Sequence, residues 1–158
     1  MQQAHLTIIS IGTDKFDWIE SGLGHYKTLL KRYAKLSQLS IPAPKKQATD
    51  AASSRRQDAE LFRPVLAKHP SYIALTDAGS SYTSHTMAEW LTRTLSTTGG
   101  KLSFVIGGPY GLEPDLIAGA KGTLSLSPLT YSHQLVRLVL LEQLFRAFSI
   151  AAGDPYHK

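Results

Sequence analysis

The chain has 158 residues, 42% of them hydrophobic and 18% charged, which fits one globular domain and excludes intrinsic disorder and a multidomain machine. The absence of cysteine excludes disulfides, thiolate metal sites, iron-sulfur clusters and cysteine nucleophiles together. A formal charge of +5 resides in the first half, where residues 1–70 hold 11 basic and 6 acidic side chains against 6 of each in residues 71–158.

Residues 5–12 (HLTIISIG) are β-branched before a glycine stop and predict a first strand, after which Asp14 is placed to cap a helix. From Phe16 to Leu36, Ile19, Leu23, Tyr26, Leu30 and Tyr33 recur at steps of four and three, one face of a helix. SQLSIPAPK predicts a short second strand ended by two prolines. The polar run from Lys45 to Arg56 predicts a mobile loop entering a helix that reaches Lys68. Tyr72 to Thr76 reads as a strand, Ser84 to Thr97 as a helix, and Lys101 to Ile106 as another strand. A break at Gly107 to Gly111, a short helix from Glu113 to Ala120, a strand from Thr123 to Ser127 and a long helix from His133 to Ala152 complete the chain. Strand and helix alternate throughout, so the expected class is α/β with a mainly parallel sheet.

The last helix is unusual. Gln134, Arg137, Glu142, Gln143, Arg146 and Ser149 scatter around its wheel among leucines, valines and phenylalanines, so it needs cover on more than one side. A second subunit would provide it, as would burial within one chain. Lys27, Lys31, Arg32, Lys35, Lys45, Lys46, Arg55 and Arg56 carry the basic surplus, which suits either a polyanion or a solvated surface. No apolar run approaches the roughly 18 residues of a membrane span, and MQQAHLTIISIG lacks a basic leader and a cleavage site. The expectation is a cytoplasmic protein with no membrane partner. The six histidines show no metal-ligand spacing, so no metal is expected.

Three segments could carry chemistry. FVIGGPYGL (Phe104 to Leu112) runs a strand into a glycine-rich turn that is neither GxGxxG nor a P-loop, and serves as a tight connection or a ligand wall. LSLSPLTYSHQLVR (Leu124 to Arg137) leads through a Ser/Pro/Thr-rich bend into a helix that Ser132 can cap. Its hydroxyls and backbone amides can hold a neutral planar ligand, with His133 in the first helical turn as a neutral base and Arg137 one turn on. The terminal PYHK offers Tyr156 and His157 for stacking or proton handling, unless the end simply frays.

With these residues the chain resembles the SPOUT-class RNA methyltransferases, and within them the small RlmH-type family of large-subunit ribosomal RNA pseudouridine N3-methyltransferases. The likeness spans essentially the full length, through Trp18, Tyr26 and Tyr33, YIALTDAG, IGGPYGL, LSLSPLTYSHQLVRLVLLEQLFRAFSI and PYHK. Tyr110 departs from it, since many relatives carry a small or acidic residue there. The resemblance implies one α/β-knot domain over residues 1–158, a basic half (1–70) joined to a half (71–158) whose C-terminal segment forms a trefoil knot. It implies a homodimer with the last helix in the interface. S-adenosyl-L-methionine would be bound in the knot, mainly by backbone groups at Leu75, Gly107, Leu126, Ser127, Pro128, Leu129, Thr130 and Tyr131. The implied reaction is methylation of N3 of a pseudouridine in 23S ribosomal RNA (helix 69 loop, pseudouridine 1915 in the usual rRNA numbering) on assembled ribosomes. The candidate catalytic set is His133 as proton acceptor or orienter, Arg137 as the charge beside a developing anion or phosphate, and Tyr156 and His157 as nucleotide contacts. Two other readings are a SPOUT enzyme acting on tRNA or a ribose 2'-hydroxyl, and a non-enzymatic ribosome-associated nucleotide-binding module.

Overall fold

A computed structural model describes residues 2–13 and 15–158, so the expected cap at Asp14 lies outside the described residues. Five strands and five helices alternate along the chain: β1 (Ala4–Ile11), α1 (Asp17–Leu30), β2 (Ala34–Ile41), α2 (Ala51–Lys68), β3 (Tyr72–Leu75), α3 (Ser84–Thr97), β4 (Lys101–Ile106), α4 (Pro114–Ala118), β5 (Gly122–Leu124) and α5 (His133–Ala151). The strands form one parallel sheet in the order β2-β1-β4-β3-β5. Because β1 pairs with β4 from His5↔Lys101 to Ser10↔Ile106, one sheet runs through both halves of the chain.

β1 explains the layering. Leu6 and Ile8 enter one core and Ile9 and Ile11 the other, so the strand is buried on both faces, as an interior parallel strand must be. On the first face lie α1, α3 and α5, with Ile19, Leu23, Met87, Leu91, Leu140 and Leu144 against Phe104. On the second lie α2 and α4, with Phe62, Leu66 and Leu116 against Val105.

Several boundaries differ from the sequence expectation, and β2 begins at Ala34, three residues before the expected SQLSIPAPK, because its whole length pairs with β1. α1 ends at Leu30 because Ala34 onward pairs with β1 from Ala4↔Ala34 to Ile11↔Ile41, and a full strand ladder outweighs the helical spacing of Tyr33. Tyr33 stacks instead on Phe148 of α5 at 5.7 Å. α2 begins at Ala51, inside the expected loop, since Asp50 accepts a hydrogen bond from the Ser53 amide at 2.8 Å. β5 stops at Leu124 because the Ser125 amide donates to the Ser80 carbonyl and its hydroxyl to the Asp77 carbonyl, which pulls the chain off the sheet.

α5 packs between α1 and α3, and no residue from 133 to 150 is fully exposed. Most of its all-round apolar surface is thus covered within one chain, the second of the two expected explanations. A half-buried stripe of Leu135, Val136, Leu138 and Val139 remains.

Candidate functional site

β1 is followed by α1 on one face and its neighbour β4 by α4 on the other, so their loops diverge above the carboxyl ends of the strands, where α/β sheets bind ligands. A cavity of about 780 Å³ opens at that end. Its walls are the end of β3 (Leu75 to Asp77), the turn after β4 (Ile106 to Leu112), the segment after β5 and the start of α5, with Arg55 reaching it from α2.

The turn after β4 is tight. The Gly111 amide donates to the Gly108 carbonyl at 3.0 Å, Gly111 adopts φ +80°, and a Cβ on Gly107 would lie 2.6 Å from the Gly111 carbonyl carbon. Only glycine at 107 lets the two arms approach this closely. The opposite wall is a hydroxyl-stiffened bend in which the Ser127 hydroxyl accepts from the Leu129 amide at 3.0 Å and the single Ser125 hydroxyl proton is shared between the Asp77 carbonyl at 3.0 Å and the Ser127 carbonyl at 3.1 Å. Ser132 caps α5 through the Leu135 amide, as expected.

Of the residues expected to hold a cofactor, Leu75, Gly107, Leu126, Ser127, Leu129, Thr130 and Tyr131 line this one cavity, while Pro128 bends the chain without lining it. His133 lines it too, beside Gly12, whose φ of +97° makes the turn after β1 a glycine position. Tyr110 is half exposed in the same wall.

The other three catalytic candidates lie elsewhere in the chain. Arg137 is 9% exposed, donates a hydrogen bond to the Gln134 side chain and lies 3.8 Å from Glu20 of α1. Among the described residues Glu20 Oε1 is buried with no hydrogen bond, so Arg137 supplies its compensating charge. Tyr156 and His157 fold back onto the middle of α5 and do not fray. Tyr156 meets the Phe145 ring edge-on at 4.6 Å and donates to Glu142 at 3.2 Å, and His157 Nδ1 lies 3.1 Å from the Arg146 guanidinium. That places them nine to thirteen residues along α5 from His133, about 14–20 Å.

Burial, then the hydroxyl of Tyr26 and the charge of Glu142, push the Tyr156 phenol up to about 12. The fold therefore favours the neutral phenol. The stabilisation it contributes is complete below the ordinary value of 10 and is lost as pH rises through about 12. Burial raises Tyr33 and Tyr72 as well, so in an ultraviolet difference titration Tyr156→Phe should remove one phenol ionising near pH 12 while those two remain, whereas with a tail free in solution the variant would remove a phenol ionising near the ordinary value of 10.

No sequence signal marks Asp58 of α2. It is 8% exposed beneath the glycine turn, with Oδ2 2.6 Å from where a Gly108 Cβ would stand, and burial raises its carboxyl above the usual range. Its spacing with Ala59, Phe62 and Leu66 reads as the margin of a helical core face.

Comparison with known proteins shows the family and the fold. The family profile described as "Predicted SPOUT methyltransferase" matches residues 4–157. The chain is 38% identical to a protein of Shouchella clausii named "Ribosomal RNA large subunit methyltransferase H", over 98% of this chain and 99% of that one. It is 37% identical to the protein of the same name from an Anaeromyxobacter species, over 97% and 99%, and 32% to that of Cytophaga hutchinsonii, over 96% and 98%. Its fold is similar to the crystal structure of a probable methyltransferase from Bordetella pertussis, with a TM-score of 0.52 at 16% identity, covering 92% of this chain and 96% of the other.

Proposed function

The chain belongs to the SPOUT methyltransferase family, and from that we propose that it methylates ribosomal RNA: S-adenosylmethionine is the methyl donor, and the acceptor is N3 of a pseudouridine in 23S rRNA, position 1915 in the helix 69 loop, on assembled ribosomes. The observation that carries this reading is the convergence of Leu75, Gly107, Leu126, Ser127, Leu129, Thr130 and Tyr131 on one cavity, with His133 at its edge.

The cavity suits that cofactor. Its walls combine backbone groups of two turns with the apolar side chains of Leu75, Leu126 and Leu129, and Asp77 is the one carboxylate among its lining residues, a favourable neighbour for a cationic ligand. Leu75, Gly107 and the segment from Leu126 to Tyr131 would hold it, and when bound it supplies a methyl group activated on a sulfonium. His133 takes the imide proton from N3, since a protonated N3 has no lone pair in position to attack. Arg137, paired with Glu20, acts on the reaction by holding α5 against α1 behind His133, in place of the direct contact with a developing anion expected from sequence. The C-terminal segment, bonded through Ser125 to the loop after β3, is the stretch that would thread the trefoil knot.

Tyr156 and His157 stand too far along α5 to touch a nucleotide in the cavity of their own chain. In a homodimer built on the half-buried stripe of α5, with the two helices running in opposite senses, the tail of one protomer reaches the cavity of the other. Exposed Phe16, Trp18 and Leu129 give such an assembly further apolar surface to cover.

The direct test offers labelled S-adenosylmethionine with assembled ribosomes, isolated large subunits and naked ribosomal RNA from cells lacking the modification. Label at N3 of that single pseudouridine, mainly in assembled ribosomes, is the expected result. Cofactor binding without transfer to any of the three would overturn the substrate assignment and turn the search to tRNA.

A further inference from the structure

The structure sorts the basic half into paired and unpaired cations. Arg32 lies 3.3 Å from Asp154, Arg55 lies 4.0 Å from Glu113, and Arg63 is held by Glu60 at 3.2 Å and Asp115 at 2.9 Å. Among the described residues Lys27, Lys31 and Lys35 join no ion pair. Yet these three converge. With Gln3, Ala34 and Leu36 they line a groove of about 340 Å³, where the last turn of α1 meets the start of β2. The Gln3 side-chain amide donates to the Lys31 carbonyl at 2.9 Å and fixes that wall.

Lys27 and Lys31 stand one helical turn apart at the C-terminal end of α1, where the helix dipole favours cations, and with Lys35 they give the groove three positive charges that attract an anion. The groove lies at the amino ends of the strands, away from the cavity, with the eight residues of β1 between them, about 25 Å. It is also the end where the tail is tied, since Arg32, next to Lys31, bonds Asp154 and the Tyr33 hydroxyl donates to the same carboxylate. Groove and tail therefore meet around the C-terminal end of α1, where Arg32 and Tyr33 hold Asp154 and Tyr26, next to Lys27, bonds the Tyr156 hydroxyl.

We propose that the groove of Lys27, Lys31 and Lys35 binds backbone phosphates of the RNA substrate beside the nucleotide that Tyr156 and His157 contact. This rests on the RNA-methylating function proposed above. In the dimer, the groove accompanies the tail to the cavity of the other protomer, so chemistry and phosphate grip act on one stretch of RNA from two chains.

The test measures affinity for assembled ribosomes against salt concentration, which needs no turnover. The enzyme carrying Lys27→Ser, Lys31→Ser and Lys35→Ser should lose about 2–3 from the slope of log affinity against log salt, and Lys31→Gln alone about 1. A control with the same charge removed elsewhere, Lys45→Ser, Lys46→Ser and Lys68→Ser, should lose less than about 1, and calorimetry should show S-adenosylmethionine binding unchanged in all. An unchanged slope in the groove variant, or an equal loss in the control, would overturn the proposal. The two readings fail separately: ribosome binding that depends on the groove without any methyl transfer refutes the function and keeps the groove, whereas transfer with an unaltered slope does the reverse.

Discussion

Replacing His133 with alanine is expected to slow single-turnover methyl transfer by about 10²- to 10⁴-fold, the usual contribution of a positioned base, while cofactor affinity stays within about twofold of wild type. The two effects separate because His133 sits at the first residue of α5, on the edge of a cavity whose other walls are the turn after β4 and the bend after β5. Truncating the imidazole leaves both turns intact, since their hydrogen bonds run through Gly108, Gly111, Ser125, Ser127 and Leu129. The proton that His133 would accept is on the substrate, so the defect should shrink as pH rises and solvent removes that proton unaided. Rapid-quench measurement on assembled ribosomes at several pH values checks this. A variant with the wild-type rate throughout would take His133 out of the base role and leave stabilisation of the imide anion by backbone dipoles as the source of catalysis.

The elements are legible in sequence where spacing and stop signals agree. α3 runs from Ser84 to Thr97 as read, because Met87 and Leu91 keep helical spacing and Thr83 and Thr86 close a capping box at its start. α1 is overread because Tyr33 continues the three-and-four spacing, although its ring reaches α5 from a turn, and the pairing of Ala34 with Ala4 that decides the matter is long-range. The same limit applies to the site. Gly107 to Gly111 and the bend from Leu126 to Ser132 announce themselves by composition, being local turns. Asp77, Arg55 and Asp58 do not, because topology brings them to that end of the sheet from β3 and α2, as it sets His5 beside Lys101. Arg137 shows the converse: its place one turn after His133 suggests a shared face, and its pairing with Glu20 shows that a carboxylate on the neighbouring helix set its direction.

Gly107→Ala tests the cavity wall without touching any side chain proposed for chemistry. The added methyl would stand 2.6 Å from the Gly111 carbonyl carbon and 2.8 Å from its oxygen, and since both are backbone atoms no rotamer change relieves the contact. The turn must open. Overpacking of this kind costs about 1–3 kcal/mol, and if the same turn holds the cofactor, S-adenosylmethionine affinity should fall by about tenfold or more. Gly24→Ala is the matched control. It sits exposed in the interior of α1, a Cβ there meets nothing within 4 Å, and alanine should stabilise the helix by roughly 0.5–1 kcal/mol with unchanged cofactor affinity. Thermal unfolding and calorimetry on the two variants distinguish a general glycine effect from a local one, because the same chemical change has opposite expected signs at the two positions. Wild-type cofactor affinity in a folded but destabilised Gly107→Ala protein would show that the ligand does not rest on this turn, and Leu75 with the bend from Leu126 to Tyr131 would then have to hold it.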